Sequence, residues 1–366
     1  MRDMEVDQDW ALLATPQGAQ LAVDLGLGNI RRLELVDGER ILVPLHHAPW
    51  LDEPEVQAND TLPPVERNLS GDFFCAPFGA SDLDDAPTHG WPANSAWDLA
   101  ESDGTSHRML LRRPVMGARI EKRQRLAPDA PLLYQIHTIE GGTGDLTVAH
   151  HPMVRLAGTG RFFTSPKAAA LTPDTPLEPG RARLACPAQH VDLATFPGAD
   201  GRPVDLTDLP IGQRHEDFVT LVEAAEVPLG WSAVMREVED DIVFILKDPA
   251  TLPVTMLWHS NGGRDYAPWN GRHRGVLGIE DGCAAGAGGH RAALAPNPVA
   301  AMGVPTALPL APERTHRIGH VIGAIAQPPG WTRIDAIRIE NMELVLIGDA
   351  GDRRLPFDPT VFGKEN

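Results

Sequence analysis

Short apolar runs, alternating with polar residues and cut every few positions by glycine or proline, leave this chain of 366 residues little to build but β-structure. Leu21, Val23, Leu25 and Leu27 share one face under a two-residue period. Leu33 and Leu35 alternate with charges up to Asp37-Gly38, a short hairpin turn, after which Ile41-Leu42-Val43 returns. The same pattern predicts strands at 109–111, 118–126, 132–140, 146–156, 218–224, 234–238, 242–246, 254–258, 275–280, 318–325, 334–339 and 344–347. The 35 glycines and 34 prolines lie between these runs rather than in one tract. No helical period persists beyond about 12 residues, an ordinary helix length, and no internal repeat is present. The expectation is an all-β chain, a large antiparallel β-sandwich spanning residues 1–366 as one domain. Residues 52–69 and the proline-rich stretch 172–213 read as loops. So does the Ala/Gly-rich stretch 282–298, which is expected to rim a site because long loops in compact folds tend to be functional.

The formal net charge of −18 argues against a nucleic-acid or anionic-membrane surface. Met1-Arg2-Asp3-Met4-Glu5 is followed by no apolar leader and no stretch reaches membrane-span length, so a cytoplasmic location is expected. Cys75, Cys186 and Cys283 are far apart and odd in number, which supports neither a disulfide framework nor a zinc–thiolate site.

Against this background one acidic residue stands out. Glu280 closes the apolar run Val276-Leu277-Gly278-Ile279, and a carboxylate in such a strand is paired, protonated or used. Two upstream clusters offer it partners. His150-His151-Pro152 ends a strand, and alternation sends the two rings to opposite faces; for either ring alone, hydrogen bonding at a strand end is the more ordinary role. His89-Gly90-Trp91 lies in a turn-rich stretch, where Gly90 allows close backbone approach and Trp91 offers a face for the C–H side of a sugar or a piece of core. Nearer to Glu280, Asn261, Trp269, Asn270 and Arg272 offer directional donors and stacking. Arg272 or Arg274 is also placed to neutralise Glu280 as a structural ion pair. Nucleotide-binding, serine-hydrolase and zinc-protease motifs are missing.

The order of these segments resembles the aldose 1-epimerase (galactose mutarotase-like) family from about Leu21 to Ile325. Residues 18–30 look like its opening hairpin, Gly71–Phe78 like its "GG-x-PF" turn, and His89-Gly90 like its "HG" motif. His150–Leu156 is similar to its "NHTYFNL" segment, Val276–Glu280 to the strand delivering its catalytic glutamate, and Leu310–His316 to its "L-x-PGE" turn. The resemblance implies the family's supersandwich with a sugar site on its concave face. It carries a general base onto Glu280, a general acid onto His151 and substrate positioning onto His89. The family's arginine after the "PF" turn has no counterpart in Phe78–Asp82, and its mid-chain aspartate has no match. Both serve substrate recognition, so these departures bear on the sugar rather than on the reaction.

The expected activity is interconversion of the α and β anomers of a sugar or sugar derivative by acid/base ring opening, without metal or organic cofactor. The expected partner is a small-molecule carbohydrate, with a homodimer left open. The alternative is a carbohydrate-binding protein that keeps the fold without catalysis. A lyase on a similar sandwich would need Tyr134 or Tyr266 as its base.

Overall fold

A computed structural model describes residues 9–82 and 85–363; the reading of the first five residues lies outside the described part. Two antiparallel sheets pack face to face as a galactose mutarotase-like β-sandwich. One contains eight strands, ordered Gln189–His190, Lys167–Leu171, His215–Glu223, Val254–Asn261, Val276–Cys283, Val148–His150 and Phe74–Cys75, with Met153–Arg155 also paired to Val276–Cys283. The other contains nine, ordered Asp208–Leu209, Gly160–Thr164, Gly230–Arg236, Asp241–Lys247, Thr315–Ala326, Leu132–Gly141, Ala118–Leu126, Ser106–Leu111 and Trp97–Ser102.

Alternating side chains from both sheets, among them Ile120, Ile139, Val219, Leu257, Ile279 and Ile322, meet in one apolar cluster between them. The strands His215–Glu223, Val254–Asn261 and Val276–Cys283 are buried along their whole length because both of their faces are covered. Their second face carries Phe218, Met256, Trp258 and Val276, which pack with Trp50 and Trp269. A three-stranded sheet of Ile334–Glu340, Glu343–Gly348 and Gly351–Pro356 covers the outer face of the nine-stranded sheet. Leu344, Leu346 and Phe357 meet Trp231, Phe244 and Ile325 there.

The space between the two large sheets is not wholly apolar. Lys247 Nζ lies 3.0 Å from Glu223 and 3.1 Å from Asp281, and it donates to Thr255 Oγ1 at 2.7 Å. Asp281 also faces His320 Nε2 at 3.3 Å, and Arg236 grips Asp241 through two nitrogens at 2.7 and 2.6 Å. Such pairs add little net stability but are costly to halve, about 3–5 kcal/mol for removing one partner.

Loops differ from the expectation in detail. Stretch 172–213 holds two-residue strands, and Leu184, Phe196 and Leu206 enter the main core. Stretch 52–69 carries the helical turns Pro54–Gln57 and Pro64–Arg67, and stretch 282–298 the helix Gly289–Leu294. The strand expected at 146–156 is interrupted at His151-Pro152, because proline donates no ladder hydrogen bond.

Candidate active site

That interruption brings the two principal residues together. Val148 and Ala149 pair with Cys283 and Gly282, while Met153 and Val154 pair with Gly278 and Leu277. The register carries across the gap, so His151 stands opposite Glu280 on the same face of the sheet. His151 Nε2 lies 3.1 Å from Glu280 Oε1, with both side chains almost wholly buried. Phe73 stacks on the imidazole at 4.4 Å, and His89 meets it edge-on at 5.2 Å.

His89 reaches this position from a strained turn. Its φ is 68° and that of Gly90 is 73°. A Cβ on Gly90 would sit 1.9 Å from the Ala76 carbonyl oxygen. The close approach that requires glycine is therefore to the Ala76-Pro77 backbone, not to a ligand. Cys75 Sγ lies 3.3 Å from His89 Nδ1.

Glu280, His151 and His89 open on a cavity of about 300 Å³. Trp258, Trp269, Phe78 and Phe218 form its apolar wall, and Glu66 and Arg264 add polar groups. Arg264 lies over the Trp269 ring at 4.2 Å, with Nε 3.1 Å from Glu178 and 3.4 Å from Glu216. Glu216 accepts from Trp258 Nε1 at 2.7 Å and Ser260 Oγ at 3.1 Å, and burial pushes its carboxyl up to about 7. Indole faces beside a guanidinium and carboxylates suit a molecule with apolar C–H faces and hydroxyl edges.

Burial acts on the central pair in opposite senses. It raises the Glu280 carboxyl well above the carboxylate range and lowers the His151 imidazole to about 4. Both changes disfavour charge. Burial thus favours a shared proton on Glu280 over His151, and their contact gives that proton a path between them.

Trp269 lines the cavity as the sequence suggested, and the other nearby candidates do not. Trp91 packs against the main core under the Arg113 guanidinium, 4.1 Å from its ring. Asn261 ties backbone to backbone, donating to Gly212 O at 2.7 Å and accepting from Gly275 N at 3.1 Å. Asn270 is an exposed turn residue with φ 45°. Arg272 pairs with Glu53, and Arg274 donates to Gly271 O at 2.6 Å, so neither neutralises Glu280. These residues are near Glu280 in sequence, but the chain between 262 and 275 loops away from the sheet. Neither tyrosine lines the cavity; Tyr266 is half exposed and donates to Glu178 at 2.6 Å.

Behind His151, Asp72, His150 and His320 bring donor atoms within 4.8 Å of one another. The two rings stack at 3.9 Å and 7°, which aims their lone pairs side by side rather than at a common point. Asp72 Oδ2 already accepts from Gln135 Nε2 at 2.6 Å and His150 Nδ1 at 3.1 Å. In this geometry the Asp72 carboxylate is engaged by hydrogen bonds within the group, while His150 Nε2 has no hydrogen-bond partner. A second cleft of about 360 Å³, on the nine-stranded sheet, has arginines already matched by acids: Arg108 to Glu101 and Glu121, Arg125 to Asp358.

No family model and no curated protein sequence matches the chain. Solved structures share its fold. A candidate aldose 1-epimerase of Escherichia coli K12 superimposes with a TM-score of 0.57 at 14% identity, over 86% of this chain and 98% of its own. A galactose mutarotase related enzyme of Lactobacillus acidophilus gives 0.54 at 11%, over 87% and 98%. An aldose epimerase homologue of C. elegans gives 0.51 at 14%, over 86% and 98%. The likeness shows that the chain shares the fold of these structures, and a fold does not by itself assign an activity.

Proposed function

We propose that this chain is a sugar-interconverting isomerase that exchanges the α and β anomers of an aldose or aldose derivative. The observation that carries the reading is the buried Glu280–His151 contact of 3.1 Å at the wall of a cavity faced by indole rings. The anomeric hydroxyl oxygen and the ring oxygen are bonded to the same carbon, so an acid and a base serving both must be immediate neighbours. Glu280, as carboxylate, takes the proton of the anomeric hydroxyl; His151, as imidazolium, protonates the ring oxygen while the carbon–ring oxygen bond breaks. Rotation of the open aldehyde and reversal of both transfers close the other anomer and restore the pair. His89 borders the reacting end. Arg264 is suited to orient sugar hydroxyls, a task for which the turn Phe78–Asp82 supplies no arginine.

The test is anomer exchange followed by NMR or polarimetry across a panel of aldoses and sugar acids. Catalysed exchange that disappears in Glu280→Gln and His151→Asn supports the reading. A sugar that binds the wild type without any acceleration of exchange would replace it with the carbohydrate-binding reading.

A further inference from the structure

We propose that Asp72 is the positioning residue of the Glu280–His151 pair: a buried carboxylate that holds the His150-His151 segment from behind and supplies the negative charge beside which His151 takes up its proton. The inference rests on the catalytic reading above.

Asp72 does not touch the cavity. It lies between the sheets, immediately after Gly71, whose φ of 61° and tight approach to the Ile30 carbonyl turn the chain inward. Its Oδ1 accepts the backbone N–H of His151 at 2.9 Å, a hydrogen that the Phe73 carbonyl shares at 3.0 Å. Its Oδ2 accepts from His150 Nδ1 and Gln135 Nε2. Gln135 is fixed in turn, because Gln124 Nε2 donates to its Oε1 at 2.6 Å, and His107 Nε2 lies 2.8 Å from Gln124 Oε1. A chain of side-chain hydrogen bonds thus runs from the second cleft, which His107 and Gln124 help to line, to the back of His151.

The charged and titratable groups facing these two residues are few. Glu280, His89 and His273 face His151 from the cavity side; His150, His320, Lys122 and Cys75 surround Asp72. Burial works against the Asp72 carboxylate, yet His150, His320 and the hydrogen bonds from His150 and Gln135 lower it on balance, which keeps it an anion. That anion favours the protonated form of His151, against the burial that disfavours it. Ring opening passes through this form, so Asp72 opposes the largest obstacle to the reaction from a position no substrate can reach.

The experiment uses Asp72→Asn in the full chain. Asparagine keeps the shape and an oxygen for the His151 N–H, and the Phe73 carbonyl still shares that hydrogen, so the substitution removes the charge and turns the acceptor facing Gln135 and His150 into a donor. One unit of proton affinity is a factor of ten in the protonated population. The expected result is a kcat reduced about tenfold or more with KM within about twofold, both limbs of the kcat–pH profile moving about one unit toward lower pH. Histidine NMR titration, with His151 assigned by its loss in His151→Asn, should show the same displacement without any substrate. Unchanged pH limbs and an unchanged titration, with only a lower melting temperature, would overturn the proposal and leave Asp72 a packing residue. Should Asp72→Asn not fold, Gln135→Met decides: it removes one donor from Asp72 and leaves more of the carboxylate's charge to act on His151, so a smaller displacement in the opposite direction, toward higher pH, is expected, whereas none sinks the idea. Failure of the catalytic reading looks different, since the wild type would then exchange no sugar while the NMR displacement persisted.

Discussion

At the scale of single residues, the proposed chemistry depends on one proton shared between the buried Glu280 and His151. Replacing Glu280 by Gln keeps size and hydrogen bonding but removes the base, and should slow anomer exchange by about 10²–10⁴ with the circular dichroism spectrum unchanged. The Glu280→Gln/His151→Asn double variant should be little slower than either single one, because the two act as a unit; kcat values for all three variants check this. Gly90 makes a second case. An added Cβ meets backbone at 1.9 Å in a left-handed conformation. Gly90→Ala should cost about 2–4 kcal/mol in urea denaturation, and should also displace His89. Glu280, His151, His89 and Trp269 were legible because each breaks the pattern around it or belongs to a motif in a recognisable order. Arg264 and Glu66 were not, since nothing in a loop sequence says which of several polar side chains turns inward.

Among the elements, the decisive one is the Val276–Cys283 strand. Its alternation sends Glu280 to the cavity and Asp281 to the inter-sheet layer, so neighbouring acids serve unrelated networks. Gly278 shares the face of Glu280, and a Cβ there would lie 2.9 Å from Glu280 Oε1 and 3.0 Å from Trp258 Cβ. Gly278→Ala should therefore lower kcat while barely moving the melting temperature; an unchanged kcat would mean that Glu280 has more freedom than its packing indicates. The strands were readable from their two-residue period, including the Asp37-Gly38 hairpin. The polar layer was not. Along Ala118–Leu126 the inward positions are Ala118, Ile120, Lys122, Gln124 and Leu126, and a lysine at an inward position reads from sequence as solvent-facing. Its burial becomes intelligible only with its partner, the Gly28 carbonyl 2.5 Å from Nζ.

For the whole molecule, the buried histidines set the response to acid. Burial lowers His107, His150 and His151 to about 4, and His46 and His259 to about 3. Below the ordinary value near 6.5 the unfolded chain takes up protons that the folded chain refuses. Each such group then removes about 1.4 kcal/mol per pH unit until its folded value is reached. Glu216 and Glu280, raised by burial, act in the opposite sense and are outnumbered. The histidine contribution to stability should be full above about pH 6.5 and fall steeply toward pH 4; a melting temperature that is flat over this interval would contradict the assignment. The hydrogen-bond chain from His107 to Asp72 has a different consequence for the molecule's history. On the proposed reading, a lineage adjusting its rate need not alter the residues lining the cavity, because exchanges at positions 107, 124 or 135 reach the Glu280–His151 pair from the other side of the sandwich. Random mutagenesis selected only for altered turnover should accordingly return hits in two separated patches, one lining the cavity and one on the opposite sheet.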